Sequence, residues 1–201
     1  MPLLFVSTND FKFDEISKIL SGYGVRIEHK KIELDEPDLQ TLEEVALAKA
    51  RHAFGLLKKP LLVEDTGVFF DALPNFPGTK AKRAWLELGY EGLFKKLEGG
   101  DRSAHFKSVI CLMNSPEDSM FFAGELRGKI LNKVVLPNAN RLPYEKIFVP
   151  DGASKALVEF SVDEKNSFSH RAIATRKLGE YLAQNADVGE GGGAHKRNAK
   201  K

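Results

Sequence analysis

The sequence predicts an α/β fold with a strand-rich second lobe, and three observations predict it. Apolar runs and amphipathic stretches alternate over the first 70 residues as strand, helix, strand, helix, strand, the pattern of a sheet whose functional loops gather at strand ends. The second half turns to strand-like segments punctuated by Gly and Asn, which suggests antiparallel extensions. A chain of 201 residues with 42% hydrophobic content can fill the core of one large domain or of two intimate lobes, and no internal repeat or long linker divides it.

Residues 3 to 7, LLFVS, read as the first strand. FDEISKILSGYG reads as a helix because Phe13, Ile16, Ile19 and Leu20 share one face, and Gly22 and Gly24 end it. Strand-like residues follow around Val25 to Leu34. After Pro37, TLEEVALAKARHAFGLLKK combines helical apolar spacing with a capping box, Thr41 and then Glu44 three residues on. The next strand, LLVED, ends in two adjacent carboxylates, Glu64 and Asp65, before a Thr-Gly turn and a second apolar run. FKSVICLMN, SMFFAGELRGKILNKVV and EKIFVP supply the strands of the second lobe, and a helix over roughly residues 169–183 closes the fold.

Thirty Lys plus Arg against 28 Asp plus Glu leave a net charge of +2, too balanced for general nucleic-acid binding. Residues 185–201, NADVGEGGGAHKRNAKK, lack apolar periodicity and carry that whole excess, so they read as a disordered basic tail. The only cysteine, Cys111, sits in the apolar run SVICLM, which excludes an intramolecular disulfide and fits a reducing cytosol. The opening MPLLFVS has no basic n-region, and no stretch is long enough to span a bilayer, so neither a signal peptide nor a membrane anchor is expected.

The paired carboxylates raise the first chemical question: adjacent like charges repel and lose solvation near a core, so a positive group is expected opposite them. STNDFK, Ser7 to Lys12, joins the first strand to the first helix. Its hydroxyls and Asn can bond phosphate oxygens that helix N-terminal amides also face, and an ordinary N-cap with a solvated lysine would use the same residues. PDLQ puts Asp38, with Glu36 close by, in the loop before the second helix. There Asp38 and Asp65 could share a divalent cation, and oxygen-only ligands suit Mg²⁺; a solvated acidic loop is the alternative. FPGTKAKRAW sets Lys80, Lys82 and Arg83 behind a Pro-Gly turn, as a rim for a polyphosphate or as the solvated face of a helix start, with Trp85 in the core. DEKNSFSHRAIA gathers Lys165, Ser169, His170 and Arg171 at the start of the final helix. Such donors sit unfavourably at a positive helix end unless an anionic or carbonyl-bearing ligand is present. No HExxH, paired CxxC, GxSxG or Walker lysine motif occurs, so zinc proteolysis, triad hydrolysis and P-loop chemistry have no support.

Taken in order, STNDFK, PDLQ followed by TLEEVA, VEDTGVFFDAL, FPGTKAK, AHFKSVI and EKNSFSHR resemble the inosine/xanthosine triphosphate pyrophosphatases, the Ham1 or noncanonical purine nucleotide pyrophosphatase family. The match runs from about residue 3 to residue 183, in a form similar to archaeal members. The resemblance implies an elongated, two-lobed α/β domain over residues 1–184, with a long mixed twisted sheet flanked by helices and a central nucleotide-binding cleft. It also implies a cytoplasmic homodimer that hydrolyses ITP, dITP and XTP to the monophosphate and pyrophosphate with Mg²⁺, clearing deaminated purines from the nucleotide pool. By this resemblance Asp65 is the catalytic aspartate and, with Asp38, a metal ligand; Ser7, Thr8, Asn9 and Lys12 hold the triphosphate. Thr66 stands beside Asp65 where serine is common, Tyr144 and Glu145 face the base, and Lys165, His170 and Arg171 read it. Glu36 is the alternative metal ligand to Asp38, Glu64 faces the metal beside Asp65, and Lys80 and Arg83 form the basic rim.

One stretch departs from the family pattern. In place of a glycine-rich GFGYDP loop the chain has RLPYEKIFVP, with Leu142 at the aromatic position, Pro143 for glycine and Glu145 for aspartate. Two competing readings use the same residues. A nucleotide-binding protein without efficient turnover is motivated by this altered loop and opposed by the intact Lys12, Asp65 and Lys165-to-Arg171 set. A Maf-like pyrophosphatase of different base preference is opposed by the SHR cluster.

Overall fold

The computed structural model describes residues 2–35 and 37–190. Seven strands, β1 (Leu3–Val6), β2 (Ile27–Lys30), β3 (Leu61–Phe70), β4 (Pro77–Gly78), β5 (Ser103–Ser115), β6 (Asp118–Ile130) and β7 (Phe148–Pro150), form one sheet in the order β2-β1-β3-β5-β6-β7, with β4 also paired to β3. β1 is parallel to β2 and β3, and the remaining pairs are antiparallel, so the sheet is mixed as expected. Five helices flank it: α1 (Asp10–Ser21), α2 (Leu42–Leu57), α3 (Ala81–Lys96), α4 (Val162–Phe168) and α5 (His170–Glu190). Among the described residues no helix is long and apolar enough to cross a membrane.

Two helical layers cover the first half of the sheet. α2 starts on the capping box read from the sequence, with Glu44 N donating to Thr41 Oγ1 at 3.2 Å and Thr41 N donating to Glu44 Oε2 at 3.0 Å. Its face of Leu42, Val45, Ala46, Ala50 and Ala53 is buried, and it packs on Leu61, Val63, Val109 and Cys111. Cys111 is enclosed there, and burial pushes its thiol up to about 12, which makes it inert. On the opposite face, Ile16 and Leu20 of α1 join Ala174 and Leu178 of α5 over Phe5, Leu62 and Ile110. A third cluster lies at the far end of β5 and β6, where Leu93, Leu97, Phe106, Tyr144, Phe148 and Leu157 pack together.

Three expectations change. The Thr-Gly turn after Asp65 does not form, and β3 runs straight through it, paired with β5 from Leu61 to Phe70. Gly67 serves close approach instead: a Cβ there would lie 2.8 Å from the Gly78 carbonyl oxygen of β4. The strand expected over residues 25–34 shortens to Ile27–Lys30, the part that β1 pairs. The closing helix runs on to Glu190, into the segment read as tail, and residues 191–201 lie outside the described residues.

α5 meets the sheet at Gly124 of β6. A Cβ at Gly124 would stand 2.2 Å from the His170 carbonyl oxygen and 2.6 Å from the Ala174 amide nitrogen, so only glycine lets the helix start settle this deep. His170 is buried there, stacked on Phe106 with centroids 4.8 Å apart. Desolvation, helped by the neighbouring Arg171 charge, pushes its imidazole down to about 3, so it is neutral in the folded protein.

Two outcomes follow from this contact. Gly124→Ala forces backbone apart and should cost about 3 kcal/mol or more in urea denaturation, a core overpacked against main chain. The histidine sets an acid limit: above its ordinary value of 6.5 both folded and unfolded states hold it neutral, and below 6.5 only the unfolded chain gains the proton. Stability should therefore fall with an added slope of about 1.4 kcal/mol per pH unit from pH 6.5 downward. Denaturation midpoints at pH 7.5, 6 and 5 for wild type and His170→Gln test this, because the variant should lack that slope.

Candidate active site

β3 carries the site because its neighbours on one side are interrupted. β1 pairs with it at Leu61 and Leu62, β4 pairs with it at Val68 and Phe69, and the stretch Val63 to Gly67 between them lines a cleft of about 430 Å³. Also lining the cleft are Ser7, Thr8, Asn9 and Lys12 at the start of α1, Lys49 of α2, Lys82 and Trp85 of α3, the Leu142-to-Tyr144 turn, and Arg171 of α5.

The adjacent carboxylates do not face one another. Strand alternation sends Glu64 to the α1/α5 face and Asp65 to the α2 face, so Glu64 pairs with Lys12 and Arg171 while Asp65 pairs with Lys49. Glu64 is fully enclosed: Lys12 Nζ lies 2.6 Å from Oε2, while Arg171 Nε at 3.1 Å, Ser108 Oγ and Thr66 Oγ1 donate to Oε1. Burial opposes its ionisation, but Arg171 and Lys12 outweigh that and hold the carboxyl well below the usual range. Asp65 receives one hydrogen bond from Lys49 Nζ, at 2.7 Å to Oδ1. Here burial wins over the Lys12 and Lys49 charges and raises the carboxyl above its ordinary value, which suits a proton acceptor.

At the cradle, Ser7 Oγ accepts from Asn9 N at 3.1 Å and Asn9 Oδ1 accepts from Lys12 N at 3.3 Å, which caps α1 and aims its N-terminus at the cleft. Lys12 Nζ also donates to the Glu64 carbonyl oxygen at 3.2 Å, tying cradle to strand. The α1 start is thus an N-cap, but its lysine is not solvated: Lys12 is ion-paired with Glu64 at the edge of the cleft.

Behind this wall lies a buried network. Arg171 reaches Glu64, Glu15 and Thr66, with Nη2 3.3 Å from Thr66 Oγ1. Lys165 bridges Glu15 at 2.7 Å and Glu145 at 3.1 Å. Burial works against the ionised forms, yet Arg171 and Lys165 hold Glu15 low while Glu64 and Glu15 push Arg171 up, so both stay charged. Of the expected base readers, Arg171 lines the cleft; Lys165, His170 and Glu145 are buried beside it and are not part of its lining. Tyr144 lines the cleft with its hydroxyl donated to the Ala81 carbonyl oxygen at 2.9 Å.

The loop before α2 stands apart. Asp38 is exposed, bound by Lys80 and by Arg83 at 3.5 Å, so these three expected residues pair among themselves while their chain neighbours Pro37, Thr79 and Ala81 line the cleft. Glu36 lies outside the described residues. Among the described residues no group of three His, Cys, Asp or Glu side chains encloses a metal position. Of the two expected ligands that the structure describes, Asp65 lines the cleft and Asp38 is held away from it by Lys80 and Arg83.

Sequence reading passed over Lys49, Glu15 and Ser108. The signal for two of them was available: Lys49 falls four residues after Val45 on the buried stripe of α2, and Glu15 is buried beside Ile16 in α1. A charge on an apolar stripe is a group with a partner.

The comparisons with known proteins bear on the whole of this architecture. The Ham1 family profile matches residues 3–181. A dITP/XTP pyrophosphatase of Hyperthermus butylicus is 38% identical over 184 residues, covering 90% of this chain and 95% of that protein. An inosine triphosphate pyrophosphatase of Yarrowia lipolytica is 37% identical, covering 93% of this chain and 98% of its own. Among solved structures, a HAM1 protein from Coxiella burnetii superposes with a TM-score of 0.78 at 26% identity, covering 92% of this chain and 100% of that one. The seven-stranded mixed sheet, the β3 cleft and these matches over nearly the full length lead to one conclusion: the chain belongs to the Ham1 family.

Proposed function

We propose that this protein hydrolyses noncanonical purine nucleoside triphosphates, ITP, dITP and XTP, to the monophosphate and pyrophosphate. The observation that carries the reading is the placement of Asp65, buried and with its proton affinity raised, in the same cleft as the N-terminus of α1. The relatives named as dITP/XTP and inosine triphosphate pyrophosphatases support it.

In this reading the triphosphate lies along Ser7, Thr8, Asn9 and Lys12, where helix amides and the lysine meet its negative charge. Lys49 fixes Asp65 Oδ1, so Oδ2 takes a proton from the water that attacks the α-phosphorus, and pyrophosphate leaves. Lys82, also in the cleft lining, adds positive charge for the leaving group. Asp65, with Asp38 or Glu36 from the loop before α2, would hold Mg²⁺, which when bound stabilises charge on the phosphoryl oxygens. Arg171 can only donate, so the base edge it meets must accept, as a 6-oxo purine does and a 6-amino purine does not. A homodimer in the cytoplasm completes the proposal.

Asp65→Asn should keep the fold and lose about 10²–10⁴ in turnover, measured as pyrophosphate release from ITP; near-normal turnover in the folded variant removes Asp65 from the role. Chelator should abolish wild-type activity and Mg²⁺ restore it, and full turnover in excess EDTA would exclude the metal.

On a panel of ITP, XTP, GTP and ATP, kcat/KM for ATP should lie about 10⁴–10⁵ below ITP, since a donor facing a donor leaves both unpaired. GTP keeps the 6-oxo group, and its 2-amino group meets a cleft lined by Leu142 and Pro143, so its margin should be smaller. ATP equal to ITP refutes the donor argument, and GTP excluded as strongly as ATP refutes the relaxed wall.

A further inference from the structure

A purine is a flat ring, and a cleft that binds one gains most from an accessible aromatic face. Three aromatic rings line this cleft: Trp85, Phe106 and Tyr144. Phe106 is 6% exposed and already committed, stacked on His170 at 4.8 Å and edge-on to Phe148 at 4.8 Å. Tyr144 is also 6% exposed, edge-on to Phe70 at 6.4 Å, with its hydroxyl bound to Ala81. Trp85 alone of the three is not buried.

Its orientation is set from behind. The indole Nε1 is buried, and the ring meets Tyr90 edge to face at 6.3 Å, so what stays accessible is carbon ring surface. Two phenols hold this part of the chain: Tyr144 donates to the Ala81 carbonyl oxygen at 2.9 Å, and Tyr90, just past the break that Gly89 (φ 60°) makes in α3, donates to the Pro143 carbonyl oxygen at 3.2 Å. α3 is thereby stitched to the turn at residues 142–144, with Ala81, Lys82, Trp85 and Leu86 presented to the cleft as one helical stripe. Leu142 and Pro143 line the cleft too but have no π face to offer.

We propose that Trp85 is the stacking platform for the purine base and a determinant of substrate affinity in this chain. This rests on the triphosphate pyrophosphatase reading and adds to it a residue on α3, apart from the cradle, Asp65 and the Arg171 wall. The base is remote from the phosphorus under attack, so the contact is made equally in ground and transition states and shows in KM rather than kcat.

Trp85 is the only tryptophan, so intrinsic fluorescence of the wild-type protein reads it directly. Titration with IMP should quench its emission saturably, and pyrophosphate alone should leave it unchanged. Trp85→Leu should raise KM for ITP by about tenfold or more with kcat within about twofold, and Trp85→Phe should recover most of the KM. Unchanged emission with IMP, or a Trp85→Leu variant that keeps the wild-type KM, overturns the platform while wild-type turnover of ITP leaves the function standing. Failure of the wild type to release pyrophosphate from any purine triphosphate overturns the function and the platform with it.

Discussion

The site depends on a single constraint, the two-residue period of a β-strand applied to Glu64 and Asp65. Side by side in sequence, they point to opposite faces of β3, and that separation gives two carboxylates two different jobs. Glu64 becomes the anchor of a buried charge network, and Asp65 becomes the carboxylate that borders the cleft. The same sheet register brings Ser108 next to Glu64 through its pairing opposite Thr66. Had β3 turned at Thr66 and Gly67, neither face would be supplied with its cations.

The network around Glu64 is costly to bury and correspondingly specific. Glu15, Glu64 and Glu145 are matched by Lys12, Lys165 and Arg171, drawn from α1, β3, the turn at residues 143–147, α4 and α5. Ion pairs of this kind contribute little net stability compared with apolar packing, yet each member left alone would be a buried unpaired charge. Their value lies in geometry: the guanidinium of Arg171 is held at a fixed place in the cleft wall by groups from elements far apart in sequence. Gly124 allows α5 close enough for this to happen.

Much of this was legible in the sequence, for identifiable reasons. The capping box at Thr41, the alternation of apolar runs and the clustering of donors at Ser169 to Arg171 are local signals, and the structure has them where the local chemistry puts them. The break came where pairing overrode propensity. Thr66 and Gly67 carry turn chemistry, but β5 offers a hydrogen-bonded partner along the whole of β3, and the strand continues. Lys49 and Glu15 show in the sequence only as charges on apolar stripes, and which groups they meet is decided by the packing of α2 and α1 on the sheet; Ser108 carries no such signal and reaches Glu64 only through the register of β5. Trp85 was read as a core residue and is half so: it packs on the cluster at the far end of β5 and β6 while one surface lines the cleft.

The floor of the cleft has a mechanical meaning. Beneath it β3 runs through, and the thirteen-residue strands β5 and β6 continue from the core cluster under α2 to the one at their far end in unbroken register across Val109 and Ala123. Spreading the walls therefore means bending a three-stranded ribbon whose hydrogen bonds resist it together. On this pairing alone the cleft would flex as a leaf spring does and not as a door on a pin, with its width tied to the curvature of the sheet. A residue exchanged deep in β5 would be felt at both rims at once, as a change in stiffness shared by everything the cleft holds.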